Sequence, residues 1–307
     1  MSVFFDILRS VVYGIIEGIT EWLPISSTGH MILAEQVLKF SFSDAFMEMF
    51  RVVIQLGAIL AVVVLYFKKL WPFCGDNGRD SGFAKHFRWP VIKLWCKIIV
   101  ACLPAAVLGL LLDDWMDAHF YNSVVVAVML IVYGIAFILV ERRPRVATTT
   151  KLSRITYQQA LIIGMWQVLA LIPGTSRSGA TILGGLLCGL SRGAASQFTF
   201  FLAIPVMAGA SGLKLVKFLA KGGTFAAPEV AALLVGCVVA TIGAGAANLT
   251  IGVWFWYGSA DVIMPLMLPA VVPFNLIKTV LNSALTLLVY KAVSNLITPK
   301  KDQVKGR

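Results

Sequence analysis

The chain reads as an all-α polytopic membrane protein built from inverted-topology repeats, with two re-entrant broken-helix hairpins. Three observations predict this: an apolar composition, a clustered distribution of charge, and a polar motif that recurs after 150 residues. Of 307 residues, 59% are hydrophobic and 13% charged, and mean hydropathy is +0.85. A water-soluble domain has too little interior to hide that much apolar surface. The runs 52–67, 91–112, 123–140, 198–213, 230–247 and 276–297 are long enough, or nearly so, to span a bilayer. Backbone polar groups in lipid must pair within their own segment, so these runs are expected to be helices. Their apolar residues do not alternate with polar ones, which argues against a membrane barrel.

A net charge of +11 invites a nucleic-acid reading, but the placement of the charge excludes it. Lys68, Lys69, Arg79, Lys85 and Arg88 lie between two apolar runs. Arg142, Arg143, Arg145, Lys151 and Arg154 lie between two others, and the tail holds Lys300, Lys301, Lys305 and Arg307. Cytoplasmic loops of membrane proteins collect basic residues in this way. Two spans separate the first two clusters, so both face the cytoplasm. The five cysteines (Cys74, Cys96, Cys102, Cys188 and Cys237) have no metal-site spacing and read as small apolar residues. The opening "MSVFFDILRSVVYG" reads as a first helix rather than a cleaved signal.

In chain order, residues 1–140 form a first repeat half with a re-entrant motif at 14–33. The polar, basic segment 141–156, "ERRPRVATTTKLSRIT", is a cytoplasmic linker. Residues 157–260 form the second half with a re-entrant motif at 164–183, and 261–307 hold atypical C-terminal helices and a basic tail. A gapless shift of 150 lays "GIIEGITEWLPISSTGHMIL" (14–33) over "GMWQVLALIPGTSRSGATIL" (164–183). Gly14 then meets Gly164, Ser26 meets Ser176, Ser27 meets Arg177 and Gly29 meets Gly179. Counting spans from the cytoplasmic loops, the first copy enters from outside and the second from inside. Inverted repeats with broken helices commonly build sites near the bilayer midplane. The same count places Lys214, Lys217 and Lys221 outside, against the charge bias.

"EGITEWLPISSTGH" (17–30) carries the first set of chemical groups. Glu17 and Glu21, four residues apart, share a helix face. Two like charges inside a bilayer call for a divalent cation, Mg²⁺ or Ca²⁺, with phosphate oxygens completing its shell. The bland alternative is a solvated interfacial face beside Trp22. Pro24 ends the helix, and Ser26, Ser27, Thr28 and His30 gather at the break. A hydroxyl near a histidine can be a nucleophile and its base; helix capping is the competing role, with Thr28 the expected cap. "PGTSRSGAT" (173–181) carries the second set. The Arg177 guanidinium can hold two phosphate oxygens, and the backbone around Gly174, Ser176, Ser178 and Gly179 at a half-helix start forms an anion cradle. The bland alternative makes Arg177 a counter-ion of Glu17 or Glu21. Under the repeat shift, Ser27 and Arg177 should approach each other.

With "FRVVIQLGAILAVV" (50–63), and with the second motif extended through "ILGGLLCGLSRGAASQFTFFLAIPVM", the chain resembles the bacterial undecaprenyl-diphosphate phosphatases linked to bacitracin resistance, over residues 5–240. The resemblance implies hydrolysis of undecaprenyl diphosphate to undecaprenyl phosphate and inorganic phosphate at the outer face of the plasma membrane, recycling the carrier for peptidoglycan synthesis. It implies Glu17 and Glu21 as metal ligands, Ser27 and His30 in the chemistry and Arg177 on the diphosphate. Joined to the residue reading above, the candidate catalytic set is Ser27, His30, Glu21 and Arg177, and the candidates around the diphosphate are Ser26, Thr28, Gly174, Ser176, Arg177, Ser178 and Gly179. The stretch 261–297 instead resembles the end of a vitamin-binding subunit of energy-coupling-factor transporters. The competing functions are a polyprenyl-phosphate flippase or transporter and, more remotely, that vitamin-binding subunit. The expected partners are the lipid substrate and the bilayer, with a homodimer left open.

Overall fold

The computed structural model describes residues 2–21, 23, 25–35, 37–75, 85–120, 123–142 and 146–247. Trp22, Pro24, Arg79, Arg143, Arg145 and everything from 248 onward, including the 261–297 stretch, lie outside the described residues. The described residues form α-helices joined by short turns: α1 (Ser2–Thr20), α2 (Ser27–Glu35), α3 (Asp44–Val53), α4 (Gln55–Leu65), α5 (Phe67–Leu70), α6 (Trp89–Phe120), α7 (Ser123–Arg142), α8 (Tyr157–Val168), α9 (Arg177–Leu187), α10 (Arg192–Ala220) and α11 (Ala227–Ala247). Among the described residues, five apolar helical segments are long enough to cross a membrane: Asp44–Leu65, Trp89–Leu112, Val124–Arg142, Arg192–Ala220 and Ala227–Ala247. The protein is therefore an all-α, multi-pass membrane protein. Much of its apolar surface faces outward, as a lipid-facing bundle requires; Leu110, Leu111, Val124 and Ile242 are all exposed.

Hydroxyl side chains start the helices of both halves. Ser43 accepts from the Phe46 amide at 3.2 Å at the head of α3, and Ser191 accepts from Ala194 at 3.3 Å at the head of α10. Thr156 and Gln159 form a capping box at the head of α8.

Two helix pairs, α1–α2 and α8–α9, turn back on themselves. At the mouth of the first, the Ser41 amide after α2 donates to Asp6 Oδ1 near the start of α1, at 3.2 Å. At the mouth of the second, Gln159 Nε2 in the first turn of α8 donates to the Cys188 carbonyl at the end of α9, at 3.1 Å. A short parallel bridge, Thr149 with Leu190, ties the preceding loop to the same point. Each pair therefore begins and ends at one place, which is the geometry of a re-entrant hairpin.

The packing is reciprocal. Helix α1 of the first hairpin lies along α11, and α8 of the second lies along α6. Gly14 permits the first approach: a Cβ there would come within 2.6 Å of the Gly236 carbonyl oxygen. Gly164, its partner under the 150-residue shift, permits the second, where a Cβ would run into the Ala101 backbone. The largest buried cluster joins α4, α6, α8, α9 and α10, with Ile98, Ile163, Ile182, Phe198 and Phe201 at its centre. It holds the second hairpin against α4 and so fixes the height of α9 relative to α1.

Candidate active site

The two helix breaks meet. The second half-helix of each hairpin starts 150 residues from its counterpart, α2 at Ser27 and α9 at Arg177. Arg177 Nη2 lies 2.5 Å from Glu21 Oε1, and the Ser27 hydroxyl donates to Glu21 Oε2 at 2.7 Å. A single carboxylate, just past the end of α1, thus joins the first residues of two half-helices from different parts of the chain. The side chains of Glu21 and Arg177 are each only 11% exposed, and Ser27 is buried.

Glu17 lies one turn deeper and is fully buried. Its electrostatic neighbours are Glu21, Arg177 and the Ser27 hydroxyl. Neither of its oxygens has a hydrogen-bond partner in the structure. Arg177 Nε and Nη1, both atoms of the Gln167 amide and Thr175 Oγ1 are also buried without one. Native interiors seldom leave so many polar groups unpaired, so this set has the chemistry of a site completed by a polar ligand. The space between Glu21, Arg177, Phe200 and Ala203 is about 10 Å³. That holds one water at most. Anything larger than a water reaches the guanidinium only if the Glu21–Arg177 contact opens.

The remaining expected residues fall into two groups. Ser26 and Ser176 cap α2 and α9, accepting from the Gly29 amide at 3.4 Å and the Gly179 amide at 3.1 Å. The expectation that Thr28 caps the first half-helix is corrected. The helix begins at Ser27, so the cap position is Ser26, and Thr28 instead accepts from Gln55 Nε2 at 3.3 Å. Ser178 shares a 3.1 Å hydrogen bond with Ser176. Gly174, with φ of +88°, packs against the Val126 backbone of α7. Its lack of a side chain has a packing reason independent of any ligand. The His30 ring nitrogen Nδ1 is 2.8 Å from the Ser26 carbonyl. That acceptor places the proton on Nδ1 and leaves Nε2 as the basic nitrogen. Ser26 is the one non-glycine residue with positive φ (62°) among the described residues. The turn it makes aims its carbonyl at His30.

Gln167 was missed by reading the sequence for charged residues. The signal was there: the 150-residue shift lays it over Glu17. Both are fully or nearly fully buried, and both have unpaired side-chain oxygens.

Comparison with known proteins decides the family. The family model described as "Bacitracin resistance protein BacA" matches residues 10–254. The chain belongs to this family. An undecaprenyl-diphosphatase of Enterococcus faecalis is 58% identical over 241 residues, covering 78% of this chain and 85% of the relative. One from Desulfitobacterium hafniense is 58% identical over 243 residues, covering 77% and 83%, and one from Lactococcus lactis subsp. lactis is 53% identical over 238 residues, covering 76% and 84%.

Proposed function

We propose that this protein is a membrane phosphatase that hydrolyses undecaprenyl diphosphate to undecaprenyl phosphate and inorganic phosphate. The activity returns the lipid carrier to peptidoglycan synthesis and confers bacitracin resistance. The observation that carries the reading is the Ser27–Glu21–Arg177 chain of contacts, which sets a hydroxyl, its proton acceptor and an anion-binding guanidinium within one buried site.

In this reading Arg177 leaves Glu21 and takes oxygens of the diphosphate with its Nε and Nη atoms. Ser27 Oγ bonds to the terminal phosphorus as its bond to the bridging oxygen breaks. Undecaprenyl phosphate leaves, and the Ser27 proton passes to Glu21 Oε2, the atom it already faces. Water then attacks the phosphoserine phosphorus with His30 Nε2 accepting its proton; the bond to Ser27 Oγ breaks, Glu21 returns its proton to that oxygen, phosphate leaves, and His30 gives its proton to solvent. The first-turn amides of α9 hold the anion in line. Glu17, with both oxygens unpaired, has the donor chemistry for Mg²⁺ or Ca²⁺, and Glu21 joins it once released from Arg177. A cation bound there would neutralise the two carboxylates and the charge developing on phosphate. We place the protein in the bacterial plasma membrane with the site opening to the outer face, on the side of the first hairpin's mouth.

Phosphate release by purified protein from undecaprenyl diphosphate tests the reading; a flippase or carrier would bind the lipid and release none. Chelation should abolish turnover and added Mg²⁺ or Ca²⁺ restore it. Either cation should also raise the melting temperature of wild type but not of Glu17→Gln, a readout that does not need activity. Full turnover in EDTA removes the metal from the proposal.

A further inference from the structure

The sequence leaves one charge cluster unexplained, and the structure collects it in one place. Lys214, Lys217 and Lys221 stand three and four residues apart, on one face of the last turns of α10. All three line a cavity of about 470 Å³, together with Glu48, Thr224 and Glu229. The cavity lies beside the head of α3 and the head of α11, whose partial positive charge adds to that of the lysines. The two carboxylates offset two of the three lysine charges and leave the lining net positive by one. Glu48 is held by Lys214 at 2.6 Å, and Glu229 Oε2 accepts from the Ala226 amide at 2.9 Å as α11 begins. Its size falls within the range of small-molecule sites.

Its height matters. Ala203 borders the Glu21–Arg177 contact, and Lys214 and Lys217 follow it on α10. At about 1.5 Å per residue, Lys221 stands about 27 Å further along the helix, and Lys214 and Lys217 roughly 17–21 Å. The nearer two lie little more than half a hydrocarbon core from the site, at the level of headgroups on the side where basic residues are normally scarce.

We propose that this cavity is a second anion site, which takes the phosphate oxygens of a polyprenyl diphosphate at the membrane surface before the lipid reaches Arg177. The proposal rests on the phosphatase reading for its substrate. The same chemistry would hold inorganic phosphate on its way out, so the test must separate the two sources.

The test uses Lys217→Gln/Lys221→Gln protein in nanodiscs with farnesyl diphosphate as probe. Lys214 is kept because it pairs with Glu48. Capture of the lipid headgroup predicts KM raised roughly three- to tenfold with kcat within about twofold, and a weaker dependence of KM on ionic strength. Lys217→Arg/Lys221→Arg should restore KM. A site for the released product instead predicts unchanged KM and weakened inhibition by inorganic phosphate. Wild-type values for both KM and phosphate inhibition overturn the proposal, as does a fall in kcat that arginine does not rescue. Equilibrium binding of farnesyl diphosphate to the Ser27→Ala background, with and without the glutamines, reports on the cavity even if no turnover exists. Equal affinity there, with or without the glutamines, refutes capture of the lipid headgroup irrespective of catalysis.

Discussion

At the scale of single residues, neighbouring hydroxyls have separate duties. Ser27 touches the Glu21 carboxylate, whereas Ser26, one residue earlier, holds the Gly29 amide and offers its carbonyl to His30. Ser27→Ala should therefore lose several orders of magnitude in kcat with little change in melting temperature. Ser26→Ala removes a helix cap worth about 1 kcal/mol, so melting temperature should fall by a few degrees while turnover keeps at least about a tenth of its value. Equal rates for the two variants would assign the attack to another group. Arg177 gives a second contrast. One nitrogen meets Glu21 and two are unpaired, so the guanidinium can turn its fork to phosphate. Lysine keeps the charge and loses the fork; Arg177→Lys should lower kcat/KM by about one to two orders of magnitude, roughly 1.4–2.8 kcal/mol. Wild-type kinetics in that variant would reduce Arg177 to a counter-ion of Glu21.

At the scale of elements, the hairpins depend on close helix approaches. Gly14 and Gly164 each let the first helix of a hairpin lie against backbone of a long helix, α11 and α6. Overpacking in a close interface costs about 1–3 kcal/mol. Gly14→Ala and Gly164→Ala should each lower the melting temperature in detergent, and by similar amounts, because the two contacts are equivalent. Gly134→Ala, where a Cβ meets nothing within 4 Å, is the control and should leave it unchanged. The elements also show what the sequence could disclose. The helices and the two breaks were legible because lipid demands apolar runs, and a Ser/Thr/Gly interruption within such runs has few other causes. Contacts between the breaks were less so. The shift brought Ser27 and Arg177 together, but only three-dimensional packing shows them sharing Glu21. The cap at Ser26 was hidden because the start of α2 depends on a positive φ that serine rarely adopts. The role of Gly174 was hidden because its neighbour, Val126, lies in α7 far along the chain.

At the scale of the whole molecule, the site works only if the hairpins enter from opposite faces. The count of membrane-crossing helices carries this. From the 66–88 loop, α6 and α7 cross the membrane and return to the 146–156 loop, so the second hairpin starts on the side of Lys68, Lys69 and Arg88. Helix α10 then crosses to the 221–226 turn, and α3–α4 cross from the mouth of the first hairpin. Lys39 and Thr224 should therefore share one face, and Val146 the other. All three are exposed, Val146 at 93%. In a background with the five cysteines replaced, Lys39→Cys and Thr224→Cys should react with a membrane-impermeant maleimide added to intact cells. Val146→Cys should react only after lysis. A cysteine near the start of α1, Phe4→Cys, is the sharper probe, because its side relative to Lys39 separates a hairpin that returns from a helix that crosses; Phe4 is exposed. If α1–α2 spanned the bilayer once, the start of α1 would lie inside, and Phe4→Cys would be protected while Lys39→Cys and Thr224→Cys were not. That outcome would break the inverted arrangement, and with it the reason that two helix ends from opposite faces converge on one carboxylate.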